Sequence, residues 1–195
     1  LKWETAKTTD IGIELGFFNN DLTLSLDYFV KKNVDLLAQI DLNLSSGQIF
    51  EINSSREKPY VNTASVKNTG WEFMMNYRKQ LTKDFHIDAT FNIATLKNKV
   101  LSLGENVQPI TSGAMSSYFN DAASITMPGE AIGSFYGYKI DGFDAEGNFI
   151  FADTDKNGVV NANDKVILGS PIPDFTYGLN INMEYKDFDL TVFFQ

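Results

Sequence analysis

The tightest constraint in this chain is a two-residue alternation of apolar and polar side chains, repeated in pairs of segments that are separated by very short polar turns. From Asp10 to Phe17, Ile11, Ile13, Leu15 and Phe17 fall on one face of an extended strand, and Asp10, Gly12, Glu14 and Gly16 fall on the other. After Phe18-Asn19-Asn20-Asp21, Leu22, Leu24, Leu26 and Tyr28 share a face against Thr23, Ser25 and Asp27. Two such runs around a four-residue polar break predict a β-hairpin.

The unit recurs twice. Trp71, Phe73, Met75 and Tyr77 alternate with Glu72, Asn76 and Arg78, with Met74 breaking the polar face, and the chain returns with Phe85, Ile87, Ala89, Phe91 and Ile93. Phe175, Tyr177, Leu179, Ile181, Met183 and Tyr185 turn at Lys186-Asp187 and return with Phe188, Leu190, Val192 and Phe194. Six strands are expected, at about Thr9 to Phe17, Leu22 to Lys31, Thr69 to Arg78, Phe85 to Leu96, Phe175 to Tyr185 and Phe188 to Phe194. The connectors between pairs, Asn33 to Asn68 and Lys97 to Asp174, far exceed the few residues usual in a compact domain. Additional short strands are expected in the second, around Ser134 to Phe143 and Phe149 to Ala152. The polar run from Thr111 to Ser124 reads as mobile.

Such strands fit two environments. In a soluble sandwich or barrel the apolar face meets a protein core, whereas in an outer-membrane barrel it meets lipid and the polar face lines a wet lumen. Short turns at one end and long loops at the other favour the membrane barrel, as do aromatic residues beside the turns (Phe17, Phe18, Tyr77, Tyr185) and strands near the ~9 to 11 residues that cross a bilayer at a tilt. With 43% hydrophobic residues the chain is rich enough to bury a core, but it has too few long apolar runs for a transmembrane helix. Absence of cysteine removes disulfides and thiol chemistry, and a net charge of −9 with pI near 4.5 disfavours nucleic acid.

Short polar stretches then carry a family resemblance. Leu1-Lys2-Trp3-Glu4-Thr5, Asn20-Asp21-Leu22-Thr23-Leu24-Ser25-Leu26-Asp27-Tyr28-Phe29, Asn68-Thr69-Gly70-Trp71-Glu72-Phe73, Asn98-Lys99-Val100, Gly133-Ser134-Phe135-Tyr136-Gly137-Tyr138, Phe175-Thr176-Tyr177-Gly178-Leu179 and Phe193-Phe194-Gln195 occur in order. Together they resemble the carboxy-terminal barrel segment of SusC/RagA-type TonB-dependent transporters. The resemblance implies an all-β, antiparallel up-and-down transmembrane barrel, here partial, with residues 1 to 195 forming part of one barrel domain and 97 to 174 a long extracellular loop. It further implies an outer-membrane importer of oligosaccharides or peptides, working with a SusD-like lipoprotein and with TonB through an amino-terminal part not seen in this sequence. Six strands are too few to close a barrel, since about eight are needed, so the expectation is a portion of a transporter wall. The alternative is a soluble, calcium-stabilised β-rich glycan-binding or adhesion module.

The sharpest local chemistry is Asp153 to Asp164, D-T-D-K-N-G-V-V-N-A-N-D. It follows the EF-hand calcium loop at its first, third, fifth and sixth positions and places Asp where that motif usually ends in Glu, as the calcium loops of dockerin modules do. Ca2+ seeks roughly six to eight oxygens, for which Asp153, Asp155, Asn157, the Val159 carbonyl, Asn161 and Asp164 are the candidates. Asp, Asn and Gly also favour any exposed turn, so a plain turn remains the alternative. Phe135, Tyr136 and Tyr138 are candidate contacts for sugar rings or for the lipoprotein. They serve equally well as residues that pack the loop onto the wall. His86, the sole histidine, reads as a lumen or rim residue, and no catalytic set can be assembled around it.

Overall fold

The computed structural model describes residues 1–39, 60–104, 107–114 and 122–195. Its strands are β1 (Thr5–Phe17), β2 (Leu22–Gln39), β3 (Tyr60–Thr82), β4 (Phe85–Thr95), β5 (Lys97–Ser102), β6 (Ile110–Ala114), β7 (Ala122–Thr126), β8 (Ser134–Tyr138), β9 (Ile140–Phe143), β10 (Phe149–Phe151), β11 (Lys165–Gly169), β12 (Phe175–Tyr185) and β13 (Phe188–Phe194). The largest sheet is hydrogen-bonded in the order β1-β2-β3-β4-β12-β13, and β5 pairs with β3. A four-stranded sheet runs β11-β8-β7-β6, and β9 pairs with β10. Two compact units result, one of Ala6–Lys32, Lys67–Asn98 and Ile172–Gln195, the other of Leu1–Thr5, Asn33–Val66 and Lys99–Pro171.

In the first unit the six expected strands pair as alternation demands. Antiparallel register sets Phe73 opposite Ile93, Met75 opposite Phe91 and Tyr77 opposite Ala89. It continues through Leu179 opposite Phe91 and Ile181 opposite Ala89, and through Ile181 opposite Val192 and Met183 opposite Leu190. Because side chains alternate with period two, these residues lie on a single face. Much of that face is exposed: Ile11, Leu15, Phe175, Tyr185, Leu190 and Phe194 are all open to the surroundings. The 11-residue β12 is about 36 Å long at roughly 3.3 Å per residue, so a tilt near 45° sets it across about 25 Å, the height of a lipid-facing band.

Two short turns are tied to neighbouring strands. At the first, Phe18, Asn19 and Asn20 take left-handed backbone angles with φ of 55, 57 and 69°, a conformation that Asn tolerates well. The Asp21 carbonyl then accepts from the Arg78 N–H at 2.8 Å, and the Lys186 N–H donates to the Asp84 carbonyl at 2.9 Å. Phe85 and Tyr185 meet edge-to-face nearby, with centroids 6.2 Å apart.

At the opposite end β3 and β4 approach closely at Gly70. A Cβ there would lie 2.1 Å from the Thr95 carbonyl oxygen and 2.7 Å from the Phe29 ring. Gly70→Ala is therefore expected to destabilise the sheet by about 1–3 kcal/mol, read as a lowered temperature for loss of the compact barrel band on unheated gels. Gly142, with open space around it, is the control, and its alanine variant should stay within about 0.5 kcal/mol.

The second unit has its own small core, in which Ala64, Val66, Val100 and Leu103 are buried and Leu36 and Val107 pack against them. Thr63 donates its hydroxyl to the Leu103 carbonyl at 2.6 Å and the Ser65 and Ser102 hydroxyls lie 2.9 Å apart, satisfying polar groups beside the core. Strand content here exceeds the sequence reading. The stretch expected as a connector from Asn33 to Asn68 carries strand to Gln39 and again from Tyr60, and β5 and β11 form within the stretch expected as loop. Thr111 to Ser124, expected to be mobile, instead contributes β6 and β7, which pair with Thr111 opposite Ile125, and residues 115–121 lie outside the described residues. Small side chains (Ser, Ala, Gly) fit a ladder as readily as a loop when a partner strand takes up their backbone groups.

Candidate functional site

On the sheet face opposite the apolar residues, register builds rows of polar side chains. Gln80, His86, Glu184 and Asp189 stand in one row, and Arg78, Asp88, Asn182 and Thr191 in the next. Arg78 reaches Asp88 from Nε at 2.8 Å and Nη2 at 2.7 Å, and the Thr191 hydroxyl donates to Asn182 Oδ1 at 2.8 Å. His86 thus sits among amides and carboxylates on the polar face, where the sequence places it. Such a face can present hydrogen-bonding and charged groups to a polar solute along its length, whereas the middle of the apolar face, at residues such as Ala89, Phe91, Leu179 and Ile181, has none to offer.

The Asp153–Asp164 segment leaves β10 and closes on a short 3-10 turn, Ala162–Asp164. Asp164 is completely buried. Its Oδ1 accepts from the Thr154 N–H at 2.7 Å, the Thr154 hydroxyl at 3.2 Å and the Asp155 N–H at 3.3 Å, and its Oδ2 accepts from the Asn161 N–H at 2.7 Å. Asn161 returns the bond by accepting from the Asn163 N–H at 2.9 Å, completing a reciprocal cap. Asp153 accepts from the Asn157 N–H at 3.1 Å and the Gly158 N–H at 2.6 Å. Gly158, at φ +87°, makes the sharp turn that aims those donors inward.

Of the six residues proposed as calcium ligands, the structure draws three carboxylates together. One oxygen each from Asp153, Asp155 and Asp164 lie within 4.8 Å of one another, the span of two ligands about 2.4 Å from a shared Ca2+. Asn157 bonds instead to Asp155, through Nδ2 at 2.8 Å, and Asn161 Nδ2 donates to the Val159 carbonyl at 3.0 Å. The donor set is all oxygen and hard, which suits Ca2+ over softer metals.

Charge in this loop has a pH consequence. The Asn161 N–H, more than any other group, holds the Asp164 carboxyl below its ordinary 3.8, with burial opposing and the Asp155 and Thr154 donors assisting. A carboxylate depressed in the folded state stabilises at all pH above its unfolded value and loses that contribution as pH falls through the folded one. Amide protection in residues 153–164 should therefore stay level from neutral pH down to the ordinary 3.8 and fall only below it, as hydrogen exchange would show.

The aromatic trio predicted as a contact surface divides between two faces. Phe135 is half exposed, and alternation along β8 sets it opposite Tyr136 and Tyr138. Tyr138 opens a ladder of rings that the sequence reading missed: Phe151 is 5.6 Å from it, Phe149 6.3 Å from Phe151, and Phe143 5.4 Å from Phe149. Lys165 Nζ lies 5.3 Å from the Tyr138 ring centre. Asp144 fixes the hairpin tip by accepting from the Asn148 N–H at 2.8 Å and the Glu146 N–H at 3.0 Å. The signal for the ladder was Phe143 and Phe149-Ile150-Phe151 flanking an Asp-Ala-Glu-Gly-Asn turn.

Comparison with known proteins places this geometry. Residues 1–195 match the family model described as TonB dependent receptor-like, beta-barrel. TonB-dependent receptor P3 of Formosa agariphila is 36% identical, aligning with 100% of the chain and 20% of its own length. TonB-dependent receptor SusC of Bacteroides thetaiotaomicron is 31% identical over 98% of the chain and 19% of its own length. Among solved structures, the RagAB peptide transporter superposes with a TM-score of 0.75 at 21% identity, covering 99% of the chain and 21% of that protein. The RagAB peptide importer in its open-open state gives 0.78 at 22% identity, covering 99% of the chain and 20% of that protein. The chain thus spans about a fifth of the length of the curated relatives it matches.

Proposed function

The chain belongs to the TonB-dependent receptor β-barrel family, and from that premise we propose that it forms part of the wall and outer rim of an importer of oligosaccharides or peptides, working with a SusD-like surface lipoprotein. The observation that carries the reading is the sheet's register. One face is apolar and exposed, as lipid requires, and the other is lined by rows such as Arg78, Asp88, Asn182 and Thr191. In this reading the short turns are periplasmic, and the stretch from Lys97 to Asp174 is extracellular. Phe143, Phe149 and Phe151 then join Tyr138 as the surface met by the lipoprotein, because exposed rings without polar edges suit an apolar protein partner. Phe135 and Tyr136 remain candidates for partner or solute contact.

The test is purification of the tagged full-length protein from detergent-solubilised outer membranes of its host. A SusD-like lipoprotein at one-to-one stoichiometry, retained by wild type and lost from a Phe143→Ser/Phe149→Ser variant, is the expected result. A full-length barrel that purifies alone, while still assembling in the membrane, overturns the pairing.

Calcium belongs to the same proposal in a structural role. Bound between Asp153, Asp155 and Asp164, with Asn157, Val159 and Asn161 completing the shell, it would offset the mutual repulsion of three carboxylates and hold the loop closed.

A further inference from the structure

We infer that the outward face of β2, β3 and the β4–β5 junction, just beyond the row of aromatic residues, binds the phosphorylated headgroup of an outer-leaflet glycolipid. The inference rests on the proposed orientation, in which this end of the sheet is the outer one. Trp71 and Tyr28 stack at 4.7 Å between ring centres, and the Trp71 N–H donates to the Thr95 hydroxyl at 2.9 Å. Phe175 lies opposite Thr95 in register, so these rings form one end of the apolar band. An open groove of about 480 Å3 adjoins them, lined by Tyr28, Thr69, Trp71, Thr95, Lys97 and Asp174 among others.

Cations take over where the aromatic row stops. Asn98 Nδ2 donates to Asn68 Oδ1 at 2.7 Å, which puts those two side chains on one face and, by alternation, Lys67, Thr69 and Lys97 on the other, the face of Trp71. Lys97 stands two residues past Thr95, about 5 Å further along the membrane normal for a strand tilted near 45°. That is headgroup height. Among the described residues neither lysine is ion-paired with a carboxylate, in a chain whose net charge is −9. Asp174 contributes the one carboxylate at the groove and offsets part of their charge.

The arrangement combines two ammonium groups for phosphate, threonine hydroxyls for polar oxygens, and an indole with a phenol for sugar faces. Directly below lies an apolar wall for acyl chains. A soluble phosphate would leave that wall unused, whereas a phosphorylated glycolipid engages every part.

The probe is synthetic diphosphoryl lipid A, incubated with the detergent-purified full-length protein and counted by native mass spectrometry. One tightly retained molecule is expected, and Lys67→Gln/Lys97→Gln should weaken retention about thirtyfold, the effect of two lysines near a charged membrane surface. Lys79→Gln, at the other end of the sheet, should leave retention unchanged. Equal retention by the double variant, or equal displacement by phosphatidylethanolamine, overturns the site. Should the double variant fail to assemble, wild type alone still decides, because loss of one phosphate in monophosphoryl lipid A should weaken binding at least about fivefold, and equal binding refutes the inference. Labelling of a Lys97→Cys variant on whole cells with a membrane-impermeant maleimide tests orientation separately. Labelling with no lipid retention sinks the site alone, and no labelling sinks the orientation on which it rests.

Discussion

Replacing Ile181 with lysine should strip the full-length protein of most of its folded, heat-modifiable form in the outer membrane, while the same change one residue on, Asn182→Lys, should be nearly silent. Ile181 sits mid-strand between Ala89 and Val192 on the apolar face. A lysine there must place its ammonium near the middle of the lipid band, costing about 2–4 kcal/mol. Asn182 stands between Asp88 and Thr191 on the polar face, where an added cation meets a carboxylate and water. Folded fractions on unheated gels, measured over a urea series, read both effects. Equal damage by the two substitutions would mean that the sheet is buried on both faces.

The second large effect is expected at Asp164. Its carboxylate is the acceptor for three backbone N–H groups and one hydroxyl. Asp164→Ala leaves those donors stranded in a buried site, so cleavage within residues 153–164 by an added protease should rise by about tenfold or more. Asp153 takes the Asn157 and Gly158 N–H groups on separate oxygens, of which Asp153→Asn keeps one as an acceptor, so in this exposed part of the loop it should raise cleavage far less than Asp164→Ala in the absence of metal. Calcium separates the two variants from wild type. At about 1 mM, a level suited to extracellular sites, it should protect the wild-type loop and leave Asp153→Asn unprotected. Protection of both to the same degree, or of neither, would remove the ion from the account and leave the hydrogen-bonded loop as it stands.

Much of the barrel wall was legible in the sequence because lipid and water impose period two along each strand, with Met74 as an exception. The rows pairing Phe73 with Ile93 and Ile181 with Val192 follow from alternation and hairpin turns, whereas the pairing of Ile93 with Tyr177, across the long connector, needed the structure. Alternation could not say whether the apolar face met lipid or a protein core, and membership of the TonB-dependent receptor family resolves that choice for the outer membrane. The strands of the second unit were harder to read. Thr63, Ser65 and Ser102 lie on β3 and β5, which pair across more than thirty residues of sequence, and a local window contains nothing of the partner strand. The metal-like loop was legible as spacing, and the structure adds that Asp164 is buried and serves as the hub of the fold. Of the predicted aromatic contacts, Phe135 and Tyr136-Tyr138 part because neighbours on a strand point oppositely. The ladder of Phe143, Phe149 and Phe151 needed the β9–β10 register to emerge.

The central claim is that the apolar face of this sheet meets lipid and the polar face meets water, and spin labels along β12 test it most directly. Nitroxides placed singly at residues 177 to 184 of the full-length protein in lipid bilayers should alternate strictly. Odd positions, from Tyr177 to Met183, should be relaxed by dissolved oxygen, and even positions, from Gly178 to Glu184, by a water-soluble nickel complex. Odd positions shielded from both reagents would place that face against a protein core and contradict the account.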